Sequence, residues 1–183
     1  AALADGEVLV TIGANGFVAR SAMNIAKWRG PKTRTIGVVR RAVQVPFADD
    51  VINTAETPDV VAAVMELTGG RGADVVIDCV GAEADKSLEM LAHGGRLVLL
   101  SSPGVDTTFP LNLRAFYHKD LTVHSTETMQ YDVVGYASCL AELLPGFQSG
   151  ALVPPPTCEH VFPLQAAHEA FAKVKGGAAE RVV

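Results

Sequence analysis

Cysteine is scarce in this sequence of 183 residues, which contains only Cys79, Cys139 and Cys158. None of the three belongs to a C-x-x-C pair, and an odd number of widely spaced cysteines argues against a disulfide framework. We therefore interpret all three as reduced thiols and expect a cytoplasmic protein.

Long apolar runs and excess positive charge are also missing. No apolar stretch is long enough to cross a bilayer, and the first residues lack the basic and apolar segments of a signal peptide. A net charge of −5 argues against a general nucleic-acid-binding surface. We expect neither a membrane nor nucleic acid as a partner. The remaining composition, 49% hydrophobic and 19% charged, is that of a globular domain with a sizeable core.

Strand and helix patterns alternate along the chain. Short runs rich in valine, isoleucine and leucine predict strands at residues 8–12, 35–39, 50–53, 74–80, 96–100 and 121–124. Helical patterns between and after them cover residues 17–28, 57–68, 83–92, 112–118, 133–144 and 164–175. Such βαβ units form parallel sheets covered on both faces. The sequence therefore predicts an α/β fold with a Rossmann-type doubly wound parallel sheet.

Several of these helices have recognisable signals. The second is predicted to begin with Thr57 as its N-cap, followed by Pro58 and Asp59. Helical spacing predicts a buried stripe in three helices. In the first helix the stripe is Val18, Ala22, Ile25 and Ala26, and in the second it is Val60, Val64 and Leu67. In the last helix it is Ala167, Phe171 and Val174.

The connection between the second and third strands is unusually short. Residues 41–49 are too few for a crossover that includes a helix. Either the helix is reduced to a turn or a segment is missing, and we expect one sheet face to be thinly covered there.

The turn after the first strand carries the main functional signal. Nucleotide-binding turns need small residues so that the backbone can approach the pyrophosphate at the N-terminus of the next helix. On the G-x-G-x-x-G/A pattern, this turn supplies Ala14, Gly16 and Ala19, of which only Gly16 is a glycine of the pattern. The end of the second strand adds Arg40 and Arg41 where NAD enzymes place an acid, and a guanidinium suits a 2′-phosphate. The pair favours NADP(H).

Taken together, these motifs resemble the cofactor-binding domain of the medium-chain dehydrogenase/reductase superfamily, in its zinc-independent quinone oxidoreductase and enoyl reductase branch. The resemblance is carried by the first turn, by residues 67–81 (LTGGRGADVVIDCVG), by residues 91–98 (LAHGGRLV) and by residues 162–171 (FPLQAAHEAF). The chain departs from the family at Ala19, usually a glycine, and in the short stretch after Arg41.

The resemblance implies an NADP(H)-dependent oxidoreductase acting on a small carbonyl, quinone or enoyl-type substrate. It implies a dinucleotide-binding domain over residues 1–153 and a segment, residues 154–183, that would pack on a missing GroES-like domain. It also implies a homodimer through residues 121–125. The implied cofactor-binding residues are Ala14, Asn15, Gly16, Phe17 and Val18 at the pyrophosphate, Val39, Arg40 and Arg41 at the 2′-phosphate, Cys79, Val80 and Gly81 at the adenosine ribose, and Ser101, Ser102 and Pro103 nearer the nicotinamide. It identifies no catalytic acid.

Two alternatives remain open, and a metal site is not predicted. The chain could be a non-catalytic NADPH-binding or dimerisation module, or a methyltransferase that uses S-adenosylmethionine, whose fold shares a strand-turn-helix nucleotide site. The H-E-x-x-H pattern begun by His168 is broken at Ala172, and the pair of Cys158 and His160 is isolated.

Overall fold

The computed structural model describes residues 2–127, 129, 132–154, 161–176 and 182–183. The chain folds into two compact units, Ala1–Val153 and Pro154–Val183. The first unit contains the sheet and its helices. Within the described ranges, no helix is both long and apolar enough to span a membrane.

The first unit is built on a six-stranded sheet with the order β3-β2-β1-β4-β5-β6. All neighbouring strands are parallel. The strands are β1 (Val8–Ile12), β2 (Arg34–Val39), β3 (Asp50–Asn53), β4 (Ala73–Asp78), β5 (Leu91–Leu99) and β6 (Thr122–Ser125). Because β1 lies in the middle, the chain winds outward in both directions from it. The predicted doubly wound α/β fold is confirmed.

The helices of the chain are α1 (Phe17–Arg29), α2 (Val60–Leu67), α3 (Ala84–Glu89), α4 (Leu113–His118), α5 (Val133–Gln148) and α6 (Ala167–Lys175). The sequence predicted the N-cap of α2 at the wrong residue. The N-cap of α2 is Asp59, whose carboxylate accepts a hydrogen bond from the Ala62 amide at 2.9 Å, and not Thr57. The Thr57 amide instead donates to the Asn53 carbonyl in the preceding turn. This bond keeps Thr57 outside the helix.

Two apolar layers cover the sheet. One contains Val60 and Val64 of α2 with apolar side chains of the sheet, and Leu67 packs partly against it, as predicted. The other contains Met23 and Ala26 of α1. The buried face of α1 differs from the predicted stripe. It consists of Ala19, Met23, Asn24 and Ala26, whereas Val18 is exposed.

The short connection between β2 and β3 contains no helix. It is a loop in which Val45 is buried and Phe47 and Ala48 pack against the α1-side layer. Thr35 of β2 pins the loop, because its hydroxyl donates to the Phe47 carbonyl at 2.6 Å and its amide to Asp49 Oδ2 at 2.7 Å. Loop side chains therefore cover this part of the sheet in place of a helix.

The start of β5 also differs from the prediction. Residues 91 and 92, predicted to end a helix, belong to the strand, and the register shifts between Ala73 and Val75 of the neighbouring β4. Gly94 lies in this irregular stretch with a φ of 72°, and its amide donates to the Lys119 carbonyl at 2.7 Å. The glycines that predict a helix end instead form a bulge.

In the second unit, a single 3₁₀ turn, Leu164–Ala166, leads into α6. The predicted inward face of this helix is wrong for two of its three members, since Phe171 is 74% and Val174 56% exposed. The Phe162 amide donates to the Val183 carbonyl at 2.7 Å. The sequence pattern also predicts short strands at residues 158–162 and 181–183, and residues 158–160 and 181 of these lie outside the described residues.

Candidate nucleotide-binding site

Four strands end side by side at one edge of the sheet. Ile12 is level with Val38 and Asp78, and Asp78 is level with Leu99. In a parallel sheet of this kind, ligands bind outside the carboxyl ends of the strands, where the chain winds in opposite directions. The segments that follow β1, β2, β4 and β5 therefore border one candidate site.

The turn after β1 brings the backbone close to this edge. Gly13 has a φ of 77°, and the amides of Gly13 and Ala14 both donate to the Val38 carbonyl, at 3.1 and 3.0 Å. The Gly16 amide closes the turn by donating to the Gly13 carbonyl at 2.8 Å. Gly16 is the N-cap of α1 and no side chain caps that helix. The positive end of the α1 dipole thus lies at the edge of the site without a capping side chain.

Some of the remaining residues in and after the first turn are buried, and others are exposed to solvent. Ala14 and Ala19 are fully buried, so alanine is small enough at the position where the family usually has glycine. Phe17 and Val18 are exposed at the start of α1. Their exposure leaves this end of the helix accessible to a ligand.

Arg20, which the motif did not predict, also belongs to this turn. Its Nη2 donates to Asn15 Oδ1, so the arginine in the first turn of α1 holds the side chain of the preceding loop. The Nε atom of Arg20 is buried and has no hydrogen-bond partner among the described residues. The pattern of small residues contains no signal for such a contact, because Arg20 follows the last position of the motif.

Arg40 and Arg41 follow the end of β2. Val39 is buried, but both arginines are exposed. Neither guanidinium forms an ion pair or hydrogen bond with another described residue. Both are therefore available to an anion at this end of the sheet.

The segment after β4 is organised by Asp78, which sequence reasoning also missed. Its Oδ1 accepts hydrogen bonds from the amides of Val80 and Gly81, at 2.8 and 2.7 Å. Its Oδ2 accepts one from the hydroxyl of Ser87 in α3, at 2.9 Å. An aspartate at the end of a buried strand, followed by the sequence Cys-Val-Gly, is the signal that could have found it.

Cys79 lies in this segment as a half-buried free thiol. Burial raises its pKa to about 11, and the nearby charge of Asp78 acts in the same direction. The thiol therefore stays protonated at neutral pH. It presents a small, weakly polar surface to the site and no reactive thiolate.

Ser101, Ser102 and Pro103 follow β5 and are exposed. A Cβ atom placed on Gly81 would lie 2.2 Å from the Ser101 carbonyl oxygen and 3.3 Å from Ser102 Cα. The structure thus brings the residues after β4 and β5 into direct contact, while Pro103 lies further out in a bend. Within the described ranges, no three His, Cys, Asp or Glu side chains are grouped as metal ligands.

Comparison with known proteins agrees with this geometry. The pattern of a family described as zinc-binding dehydrogenase matches residues 18–142. Acryloyl-coenzyme A reductase of Metallosphaera sedula is 30% identical over 147 residues, covering 76% of this chain and 41% of that protein. Quinone oxidoreductase of Homo sapiens is 24% identical over 176 residues, covering 94% of this chain and 52% of that protein.

A solved structure of an NAD-dependent alcohol dehydrogenase superposes with a TM-score of 0.74 at 28% identity, covering 94% of this chain and 48% of that one. The chain spans about half, or less, of the length of these relatives. The family match, the parallel sheet and the oxidoreductase relatives lead to one conclusion. The chain belongs to the medium-chain dehydrogenase/reductase superfamily and corresponds to its cofactor-binding domain.

Proposed function

We propose that this chain binds NADP(H) as the nucleotide-binding part of an oxidoreductase. The observation that carries the proposal is the pair of exposed guanidinium groups at the end of β2, which have no partner among the described residues. NAD-specific enzymes place a carboxylate there for the ribose hydroxyls, whereas an arginine can hold a 2′-phosphate through two parallel hydrogen bonds.

Each segment at the carboxyl edge then has a role toward the nucleotide. The N-terminus of α1 attracts the pyrophosphate, and the small residues of the first turn allow close approach. Arg40 and Arg41 hold the 2′-phosphate, the turn Cys79–Gly81 borders the adenosine ribose, and residues 101–103 lie nearer the nicotinamide. When bound, the cofactor supplies the hydride chemistry, and the chain's own residues orient it.

For the substrate we propose a small carbonyl, quinone or enoyl-type compound. The support is the nature of two relatives, an acryloyl-coenzyme A reductase and a quinone oxidoreductase. A GroES-like domain would supply most substrate contacts, and residues 154–183 would return to it. We assign no catalytic acid to this chain.

The test is a titration of the chain with NADPH and NADH, followed through the fluorescence of Trp28 or of the nicotinamide. We expect NADPH to bind more tightly. The Arg40→Ala/Arg41→Ala variant should lose about tenfold or more of its NADPH affinity, because each charged hydrogen bond contributes roughly 1.5 kcal/mol or more. NADH affinity should change little. Arg29→Ala is the matched control, since Arg29 lies at the other end of α1 in an exposed ion pair with Glu142.

Other outcomes of the same titration distinguish the alternatives. Equal binding of NADH and NADPH would contradict the 2′-phosphate assignment, and tighter binding of NADH would favour NAD, the cofactor in the name of one structural relative. Binding of S-adenosylmethionine alone would favour a methyltransferase. The chain could also bind NADPH tightly and yet, together with its companion domain, transfer no hydride to a quinone or an enoyl thioester. This result would favour a non-catalytic module.

We also propose that two copies of the chain pair through β6. All four residues of this strand are exposed, and among the described residues it has a neighbouring strand on one side only. An open strand edge of this kind can hydrogen-bond to a second copy. Light scattering after size exclusion should give a dimer at micromolar concentration, and Val123→Lys should shift it to a monomer. A monomeric wild-type chain would contradict the proposal.

A further inference from the structure

We propose that Asp78 is a positioning residue of the nucleotide site, whose carboxylate holds the turn after β4 against the turns on either side of it. The consequence for cofactor affinity rests on the proposed function. The structural part concerns the free protein and is tested separately.

The carboxylate of Asp78 is held entirely by hydrogen bonds. Asp78 is only 1% exposed, and no described Lys, Arg or His side chain forms an ion pair with it. Its three donors are the amides of Val80 and Gly81 and the hydroxyl of Ser87, which is also buried. A buried charge without a counterion costs much free energy unless such donors surround it. The turn and helix α3 are therefore organised around this carboxylate.

The turn that Asp78 holds contacts both of its neighbours. A Cβ atom placed on Gly13, in the turn after β1, would lie 3.0 Å from Val80 Cγ2. On the other side, a Cβ atom on Gly81 would lie 2.2 Å from the Ser101 carbonyl oxygen. A small movement of Val80 or Gly81 would thus displace the turn after β1, the loop after β5, or both. One carboxylate sets the spacing of three of the four segments assigned to the cofactor.

The geometry requires an acceptor at Asp78 and not a negative charge as such. Both turn amides donate to a single oxygen, Oδ1, which an asparagine side chain also provides. The asparagine amide would face Ser87, whose hydroxyl can accept instead of donate. Asp78→Asn should therefore keep the turn in place, whereas Asp78→Ala removes the acceptor and leaves both amides unpaired.

The first experiment is hydrogen exchange on the free chain, read for individual amides by NMR. In Asp78→Ala we expect the Val80 and Gly81 amides to lose at least about tenfold in protection, because local opening sets these rates. Exchange should also speed up at the hydrogen-bonded amides of Gly13, Gly16 and Leu100, the last of which follows β5. Asp78→Asn should restore wild-type rates in all of these segments. A change confined to Val80 and Gly81 would overturn the inference, since the turn would then not position its neighbours.

The second experiment measures nucleotide affinity in the same variants. The matched control is Asp74→Ala, at the amino end of the same strand, where the carboxylate also accepts a backbone hydrogen bond, from the Val8 amide at 2.7 Å. We expect Asp78→Ala to weaken NADPH binding on the order of tenfold. Asp78→Asn should stay within about twofold of the wild type. Asp74→Ala should lower the midpoint of thermal unfolding without changing the dissociation constant.

These results separate the two proposals. If the wild-type chain binds neither nucleotide, but amide exchange in Asp78→Ala is faster in the neighbouring turns as expected, the proposed function fails and the positioning role stands. If NADPH binds but Asp78→Ala binds it as tightly as the wild type, the positioning role fails and the proposed function stands. If Asp78→Ala does not fold, a loss of affinity on the order of tenfold in a folded Asp78→Asn chain would overturn the inference.

Discussion

The turn after β4 has room only for hydrogen at position 81. Gly81 combines a φ of 72° with a Cβ position that would lie 2.2 Å from the Ser101 carbonyl oxygen. Gly81→Ala should lower the free energy of unfolding by about 3 kcal/mol, of which roughly 1 kcal/mol is the left-handed backbone and the rest the clash. Chemical denaturation measures the loss.

The control for this substitution is Gly69→Ala. Gly69 has a similar φ of 63°, but nothing lies within 4 Å of its Cβ position. This variant should therefore lose only the backbone part, about 1 kcal/mol. Equal losses in the two variants would show that the contact between Gly81 and Ser101 is not a tight one.

Cys79 provides a second prediction at the residue scale. Because burial raises its pKa to about 11, only a small fraction of this thiol is ionised at pH 8. Alkylation by iodoacetamide should be on the order of 100-fold slower than for an ordinary thiol with a pKa of about 8.5. Mass spectrometry of peptides reads each cysteine separately, and the exposed Cys139 should be modified before Cys79. Comparable rates at Cys79 and Cys139 would contradict the burial of Cys79.

At the scale of single elements, the start of α2 shows how a capping signal can be misplaced. A helix start is predicted at Thr57, Pro58 and Asp59, but both Thr57 and Asp59 are suitable N-cap residues. The cap is the one whose side-chain oxygen accepts a hydrogen bond from an amide in the first turn. Asp59 caps the helix because its carboxylate reaches the Ala62 amide. Thr57 stays in the preceding turn, where its amide donates to the Asn53 carbonyl.

This assignment gives a direct test. Asp59→Ala should lower the free energy of unfolding by about 1 kcal/mol, the usual value of an N-cap. Thr57→Ala, at the position that the sequence favours as the cap, should change it by less than about 0.5 kcal/mol. Urea unfolding of both variants is the measurement. The reverse order would restore Thr57 as the cap.

Helix α1 shows a related limit. Its apolar residues allow more than one stripe at helical spacing, and the predicted stripe included Val18. The structure buries Ala19 and Met23 instead, and the Thr11 hydroxyl of β1 lies 3.4 Å from the Met23 sulfur. Periodicity predicts that a helix has an apolar face, but the rotation of the helix depends on which side chains allow the closest approach to the sheet.

At the scale of the whole molecule, two ion pairs lie at the edge of the sheet opposite the candidate site. Arg96 of β5 donates to both carboxylate oxygens of Glu7, just before β1, at 3.1 and 2.6 Å. Arg71 binds Asp74 in the same way, at 2.6 and 2.7 Å. The hydrogen bond from Arg96 lowers the pKa of Glu7. Burial alone would raise the pKa of Asp74, but hydrogen bonds from Arg71 and from the Val8 amide outweigh it and lower the value.

These shifts predict a loss of stability in acid. A carboxyl whose pKa is lower in the folded than in the unfolded state stabilises the fold above its unfolded pKa of about 4, and this contribution is lost as the pH falls through its folded pKa. The free energy of unfolding should therefore decrease from about pH 5 downward. Glu7→Gln should lose about 1 kcal/mol at pH 7 and show a shallower decrease in acid. Urea unfolding at several pH values measures both, and a steeper decrease in the variant would contradict the assignment.

Much of the fold, and several residues of the candidate site, could be predicted from the sequence. Strands in the middle of a parallel sheet consist of nearly continuous apolar runs. These runs, together with the shorter apolar runs of the outer strands, located all six strands before their order was known. The small residues of the first turn and the arginines after the second strand are local features as well, because turn geometry and strand ends depend on neighbouring residues. The family resemblance, which rests on the first turn and on residues 67–81, 91–98 and 162–171, is confirmed.

The tertiary structure decided what depends on residues far apart in the chain. The local pattern places Asp78 at the end of a strand, but only the packing of α3 and of the following turn around it makes it the buried acceptor of three hydrogen bonds. The contact between Gly81 and Ser101 likewise exists only because β4 and β5 are neighbours in the sheet. The sequence alone determined which residues form strands, turns and helices, since these follow from short-range sterics and hydrophobic period. The folded structure determined which of them meet, because burial and hydrogen bonding between distant segments depend on the whole arrangement.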